Sequence, residues 1–281
     1  MIHRPTGTAP HIRVATLHSL ATRSRWQIES LHAGINHSFF WNSRGQGKAT
    51  VSSRSRGIGP NSLLFIPAGC VHSLGLSKNT LGYALFVPDS LPVPVADRPL
   101  LIKATSIFEQ GQVTAFFEQM ANESTTTSAG SEHALESYAT LLSIWAERRA
   151  DRDEWGDQRA RSKPARLIAR FLDLLEREFH RHRTIAEMAA MLRVTPTHLS
   201  RVCRERLGKP ASRLLTERLV LEARIRLLEG DENISAIASA LGFDSPAYFS
   251  RVFRMETGLS PRQFRASSTG GTGSRLVKGT S

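Results

Sequence analysis

Thr195-Pro196-Thr197-His198-Leu199-Ser200-Arg201-Val202-Cys203-Arg204 returns 50 positions later as Ser245-Pro246-Ala247-Tyr248-Phe249-Ser250-Arg251-Val252-Phe253-Arg254. Upstream, Ile185-Ala186-Glu187-Met188-Ala189 aligns with Ile234-Ser235-Ala236-Ile237-Ala238 at an offset of 49, so the second turn is one residue longer. In the first copy Thr184 is placed to N-cap a helix whose apolar face is Ile185, Met188, Ala189 and Leu192. A second helix starts at Thr195, with Pro196 at the first position, where the missing N–H costs nothing. In the second copy Ile234, Ile237, Ala238 and Leu241 form the face, Gly242 ends the helix, and Ser245-Pro246 restarts the chain. The small alanines let each second helix cross its first closely. Two short helices meeting at a turn, made twice, are tandem helix-turn-helix units, whose second helix is the one that enters the DNA major groove.

The stretch between the copies, Ser212 to Glu229, carries Leu215, Leu219, Ala223, Ile225, Leu227 and Leu228 and predicts a connecting helix. Roughly 18 residues at 1.5 Å each separate the units by about 27 Å. A duplex turn is about 34 Å, so one chain can address successive major-groove segments. Charge points the same way. The chain carries 37 Lys plus Arg against 25 Asp plus Glu, a net +12. Residues 1–158 hold 14 basic and 13 acidic side chains, whereas residues 159–265 hold 21 and 12. A basic excess confined to one region attracts polyanions, because neutralised phosphates release condensed counterions. Charge alone suits a merely soluble basic surface equally well.

Residues 164–266 resemble the DNA-binding domain of the AraC/XylS family of transcription regulators. The resemblance rests on Arg218-Leu219, Glu222-Ala223-Arg224, Leu227-Leu228, Ile234, Ile237-Ala238, Leu241-Gly242-Phe243, Phe249 to Arg254, Gly258, Ser260-Pro261 and Phe264-Arg265. One departure is Arg193, where many relatives place Gly at the end of the first helix. The resemblance implies a regulator that binds double-stranded DNA, is modulated by a small effector, forms a homodimer and contacts RNA polymerase. It also implies that Thr197, Ser200, Arg201 and Arg204 meet base edges. Arg201 offers a bidentate fork to guanine. The matching positions of the second unit are Ala247, Ser250, Arg251 and Arg254, whose small members imply weaker readout. Lys209, Arg218 and Arg262 are assigned to phosphates, which position without specifying.

Ahead of this domain the pattern differs. Residues 11–105 read as short strands and turns around Phe39-Phe40-Trp41, Ala49-Thr50-Val51, Leu63 to Ile66 and Tyr83 to Val87, which suits a small antiparallel barrel or sandwich. From about 106 the period becomes helical, with Phe108, Val113, Phe116, Phe117 and Met120 on one stripe. After a Ser/Thr/Gly loop at 124–131, a second helix places Leu135, Tyr138, Leu142, Trp145 and Arg149 on a stripe that packs on the barrel or pairs with a second copy. The expected organisation is α+β. A cupin-like β-barrel spans 1–105, a helical packing or dimerisation segment 106–150, and a charged linker 151–163. An all-α DNA-binding domain at 164–266 and a tail at 267–281 follow.

Gly59 to His72 resembles the second cupin motif, in which a strand ends at Pro, Gly turns the chain and His points into the barrel. Of the first motif only His37 is present, and no Glu follows before Glu109. His37 and His72 alone make a weak metal site, so no metal or cofactor is expected. The effector site is expected at His37, Phe39, Trp41, Arg44, Arg54, Arg56 and His72. The arginines suit an anion such as an aromatic acid, a sugar acid or a nucleotide, although a solvated hairpin explains them as well. The competing classes are a cupin enzyme fused to a DNA-binding module and a methyl-accepting repair protein. Cys70 and Cys203 stand far apart with no CxxC pair, which favours neither a disulfide framework nor an activated thiol. The N-terminus lacks the apolar stretch of a secretory signal and no apolar run reaches bilayer length, so a cytoplasmic, non-enzymatic protein is expected.

Overall fold

A computed structural model describes residues 11–23, 25–52, 54–126, 128–149 and 162–269. The chain divides into a unit of Ala9–Ser162 and a unit containing Lys163–Ser281. The expected linker lies outside the described residues apart from Ser162 and Lys163, as does the expected tail beyond Thr269.

Among the described residues of the first unit nine strands run in the order β1 (Arg13–Thr16), β2 (His32–Ala33), β3 (Asn36–Arg44), β4 (Gly47–Val51), β5 (Arg54–Ile58), β6 (Ser62–Ile66), β7 (Val71–Leu76), β8 (Leu81–Pro88) and β9 (Leu100–Lys103). They form two antiparallel sheets, ordered β1-β8-β3-β6-β9 and β2-β7-β4-β5. Of the expected barrel or sandwich, the two sheets are open and face each other. Phe40, Leu64, Ile66, Ala84 and Leu101 of the first sheet meet Ala49, Val51, Ile58, Leu74 and Leu76 of the second in one core. Side chains fill the space between the layers, as in a sandwich. A correction concerns Leu17–Arg23 (α1) and Arg25–Glu29 (α2), which are helices where strands and turns were expected. Leu17, Leu20 and Ala21, at steps of three and four, are buried in the same core.

The period-two alternation of β3 divides the unit into layers. Phe39 and Trp41 point away from the second sheet and pack with Leu63, Phe65, Leu85 and Val87 against two helices, α3 (Ile107–Thr125) and α4 (Ser131–Glu147). Val113, Phe117 and Met120 of α3 and Leu135, Leu142 and Trp145 of α4 are buried there. The α4 stripe thus covers the sheet, one of its two expected uses. Phe108, expected on the inner stripe of α3, is 73% exposed, and Glu109 takes the inward position. The cause is a capping box. Ser106 Oγ accepts from Glu109 N, and Glu109 Oε2 accepts from Thr105 N at 2.9 Å and Ser106 N at 3.3 Å. Arg149 Nε donates to Glu109 Oε1 at 3.1 Å while its guanidinium lies 4.1 Å from the Trp145 ring.

The second unit is helical: α5 (Lys163–Glu178), α6 (Ile185–Met191), α7 (Pro196–Leu207), α8 (Ala211–Glu229), α9 (Ile234–Ala240), α10 (Pro246–Thr257) and α11 (Pro261–Thr269). Thr184 caps α6 reciprocally with Glu187, and Asn233 caps α9. The caps of α7 and α10 repeat each other. Thr195 and Ser245 accept from His198 N and Tyr248 N, and Gly208 and Gly258 end the helices in the left-handed region by donating to the carbonyls of Arg204 and Arg254. Around the second copy Val220, Ala223, Leu227, Ile237, Ala238, Leu241, Phe249, Val252 and Phe253 form one core. The turns after α6 and α9 match in backbone and differ in surroundings. Arg193 has φ 58° and Gly242 φ 77°. Arg193 is exposed, whereas a Cβ on Gly242 would lie 2.5 Å from the His182 ring.

Two outcomes follow from this geometry. Burial opposes the charge of Glu109, but the Thr105 and Ser106 donors and the Arg149 guanidinium outweigh it and hold the carboxyl at about 2, below its ordinary 4.5. Its contribution is complete above pH 4.5 and is lost as pH falls toward 2. In thermal melts of the full chain, the gap in Tm between wild type and Glu109→Gln should shrink across that window; a constant gap would refute the assignment. For the turns, Gly242→Ala should destabilise by about 2 kcal/mol or more, from left-handed strain plus the overlap with His182. Arg193→Gly should change stability by less than about 1 kcal/mol, because relieved strain offsets the freer unfolded chain. Urea unfolding of both variants checks the contrast, and equal effects would contradict it.

Candidate nucleic-acid interface

The N-cap of α7 and its buried residues Leu199, Val202 and Cys203 orient this helix, leaving Thr197, Arg201 and Arg204 exposed and Ser200 half-buried on the remaining surface. In α10, Phe249, Val252 and Phe253 are buried, with Ala247, Arg251 and Arg254 exposed and Ser250 half-buried. Each recognition helix therefore presents its four expected positions at steps of three and four, on the side opposite its core.

The arginines are not held alike. Arg201 Nη1 donates to Glu205 Oε1 at 2.5 Å, and Arg201 Nη2 lies 3.3 Å from His198 Nδ1. In the second copy the position of Glu205 is Met255, which is exposed, and Arg251 stands 5.1 Å over the ring of Tyr248. Tyr248 leans in turn on Phe243, with ring centroids 6.1 Å apart. The first guanidinium has a carboxylate partner one turn away and the second an aromatic platform. Glu205 is a neighbour the sequence reading passed over, although its place four residues after Arg201 is the spacing at which helical ion pairs form.

Two of the expected phosphate contacts fall differently. Lys209, at the turn between α7 and α8, is half-exposed, with Nζ 2.7 and 2.9 Å from the carboxylate oxygens of Glu217. Arg218 is corrected from a surface contact to a buried strut. Its side chain is 6% exposed, its Nε bonds both oxygens of Glu176 at 3.0 Å, and its Nη1 bonds Glu222 at 3.2 Å. The guanidinium also lies 3.8 Å from the Phe179 ring. A charge so enclosed ties α8 to α5 and has no path to a phosphate. Arg262, in the first turn of α11, is exposed.

The residues expected at an effector site separate. Phe39 and Trp41 lie in the core beneath α3 and α4, with Trp41 Nε1 donating to Thr114 Oγ1 at 3.1 Å. His37 shares their face. It accepts from Ala68 N through Nδ1 at 3.1 Å and meets Asp89 through Nε2 at 3.0 Å. His72 is buried between the sheets, beside His32 at 5.4 Å and Phe40 at 6.5 Å, so His37 and His72 occupy opposite faces of the five-stranded sheet. Arg54 and Arg56 do share the face of His72. The register pairs Val51 with both His72 and Arg54, and Ala49 with both Leu74 and Arg56, and Val51, Ala49 and Leu74 all point into the core. Arg44 ends β3 in solvent. Burial pushes the Cys203 thiol up to about 12 and raises that of Cys70 as well, the opposite of the activation a nucleophile needs. Among the described residues no group of three or more His, Cys, Asp or Glu is arranged to hold a metal, and no helix is long and apolar enough to cross a membrane.

A helix-turn-helix domain family matches residues 188–267, which hold both recognition helices. The chain is 34% identical over 85 residues to the arabinose operon regulatory protein of Salmonella typhimurium, covering 30% of each chain. It is 34% identical over 82 residues to the protein of the same name from Escherichia coli, covering 29% of this chain and 28% of that one. The chain thus spans less than a third of the length of these curated relatives. Among solved structures, apo ToxT of Vibrio cholerae aligns with 94% of this chain and 99% of its own at 15% identity and a TM-score of 0.44. The C-terminal domain of AraT from Geobacillus stearothermophilus aligns with 38% of this chain and 88% of its own, at 31% identity and a TM-score of 0.36. Two capped recognition helices on a shared connecting helix, within a sequence matched to a helix-turn-helix family and to arabinose operon regulators, make the C-terminal region an AraC-type DNA-binding domain.

Proposed function

We propose that the chain is a transcription regulator that reads a two-part DNA site through α7 and α10 and answers to a small anionic effector bound in its N-terminal unit. The observation that carries the first half is the duplicated presentation of two basic recognition helices, each capped at both ends and seated on its own core. Helix α8, with 19 residues, is about 28 Å long at 1.5 Å per residue, close to the advance of one duplex turn. Arg201 and Arg251 are the base-reading forks. Lys209 and Arg262 are the phosphate contacts, with Glu217 holding Lys209 until DNA displaces it. The effector half rests on the shared inward face of His72, Arg54 and Arg56. β5 is the outer strand of its sheet, so an acid entering at that edge meets two guanidinium groups next to an apolar interior.

Site selection from a random duplex pool, followed by titration at several salt concentrations, tests the DNA reading. Arg201→Ala should weaken the selected site by about 1 to 3 kcal/mol and relax preference at one base pair. Lys209→Ala should weaken all sequences alike and lower the salt slope by about one. If Arg201→Ala retains the wild-type consensus while Lys209→Ala alters it, the roles are assigned wrongly.

The effector reading has its own measurement. A panel of aromatic acids, sugar acids and nucleotides should contain a compound that raises the Tm of the full chain. That rise should persist in Arg44→Ala and vanish in the Arg54→Ala/Arg56→Ala double variant. Persistence in the double variant would move the site elsewhere.

A further inference from the structure

The two helix-turn-helix units touch directly as well as through α8. After α5 the chain makes a short 3-10 turn at Phe179–Arg181 and reaches His182 in the left-handed region, at φ 57°. From there the imidazole reaches across 58 positions of sequence to the end of α9, where Nε2 lies 3.2 Å from the carbonyl oxygen of Ala240. The ring also covers the turn glycine of the second unit: a Cβ on Gly242 would stand 2.5 Å from His182 Cγ and Cδ2 and 2.9 Å from its Cβ. A helix C-terminus leaves carbonyls without intrahelical partners and favours a donor there. His182 supplies that donor from the other unit. The corresponding turn of the first unit carries the exposed side chain of Arg193, so the glycine at 242 answers to this contact as well as to its backbone angle.

Mechanically the contact has a specific effect. Both units pack on α8, which sets their distance and coarse orientation, and a contact made away from the helix axis adds stiffness against rotation about it. α8 is itself anchored along its length, with Arg213 in its first turn bonded to Glu256 of α10. Arg218 bonds Glu176 of α5, and Arg226 lies 3.8 Å from Glu232, ahead of α9, whose carbonyl accepts from Arg265 of α11 at 2.5 Å. These bonds lie along or beside the rod, whereas His182 bridges one unit to the other away from it.

We propose that His182 is a positioning residue that fixes the rotation of the second recognition helix relative to the first, and thereby the base-pair spacing between the two parts of the DNA site. The proposal rests on the DNA reading above. With 10 to 10.5 base pairs per turn, each added pair rotates the second half-site by about 35°, so a clamped pair of helices tolerates few spacings.

The test uses the full chain and the two-part duplex that wild type selects from a random pool, remade with its spacer one or two base pairs shorter or longer. Wild type should lose at least about tenfold in affinity per changed pair. His182→Gly keeps a residue suited to the left-handed backbone and removes the ring. It should bind the original duplex within about threefold of wild type, while its spacer penalty falls by roughly three- to tenfold, the worth of one hydrogen bond. Gly242→Ala, which displaces the ring from the other side, should relax spacing in the same direction. A variant weakened by one factor at every spacing, or unchanged at every spacing, overturns the proposal. A wild-type chain that selects no two-part site refutes the DNA reading itself, and the spacing role with it.

Discussion

A guanidinium enclosed by two carboxylates and a phenyl ring stands where the DNA-binding unit is joined. Arg218 bonds Glu176 and Glu222 and stacks on Phe179, so α5, the turn after it and α8 meet at one charge. Desolvating an ion is costly, and such a group persists only when its partners satisfy it together; removing one partner of a buried pair typically costs about 3 to 5 kcal/mol. Every element that presents a recognition helix leans on this joint. α7 packs between α5 and α8, and α9 and α10 build their core on Val220, Ala223 and Leu227 further along the same helix. Side chains that would otherwise offer positive charge to DNA are thus spent on holding the reading helices in place.

The two reading helices share a scaffold and differ in their electrostatics. Arg201 is paired with Glu205 in the free chain, and both are more than half exposed. Such surface pairs contribute little to stability, so exchanging the carboxylate for a base edge is nearly neutral in the folded chain. Glu205 also leaves a negative charge on the same exposed surface as Arg201. Met255 brings no such charge beside Arg251, which rests on Tyr248. The two units thus differ in what holds the arginine of the reading helix: a carboxylate in the first, an aromatic ring in the second.

In the N-terminal unit, β3 serves two cores at once. Its odd residues Phe39 and Trp41 belong to the layer beneath α3 and α4, and its even residue Phe40 to the interior between the sheets. Bulky groups stand on either side of one strand, while Arg54 and Arg56 lie on the inward face of the outer strand β5. The two histidines that linear spacing suggested for a common pocket are separated by the thickness of a sheet.

The sequence by itself determined the tandem units, their caps and turns, the connecting helix and the main strands, because each depends on local chemistry: Thr184, Thr195 and Ser245 beside free amides, Pro196 and Pro246 where no donor is needed, glycines where φ is positive. It also placed Arg201, Arg204, Arg251 and Arg254 on one face of each helix, since helical period alone decides that. It did not reveal that Arg218 is buried, that Glu109 rather than Phe108 faces inward, or that Leu17–Arg23 and Arg25–Glu29 are helical. Nor did it show that His37 and His72 lie on opposite sides of a sheet. Those were decided only by the tertiary structure, because burial, ion pairing across 42 positions between Glu176 and Arg218, and the pairing order of strands are set by long-range contacts that no window of sequence contains. The contact of His182 with Gly242 is the same kind of fact: each residue is ordinary in its own turn, and their meeting exists only once α8 has brought the two units side by side.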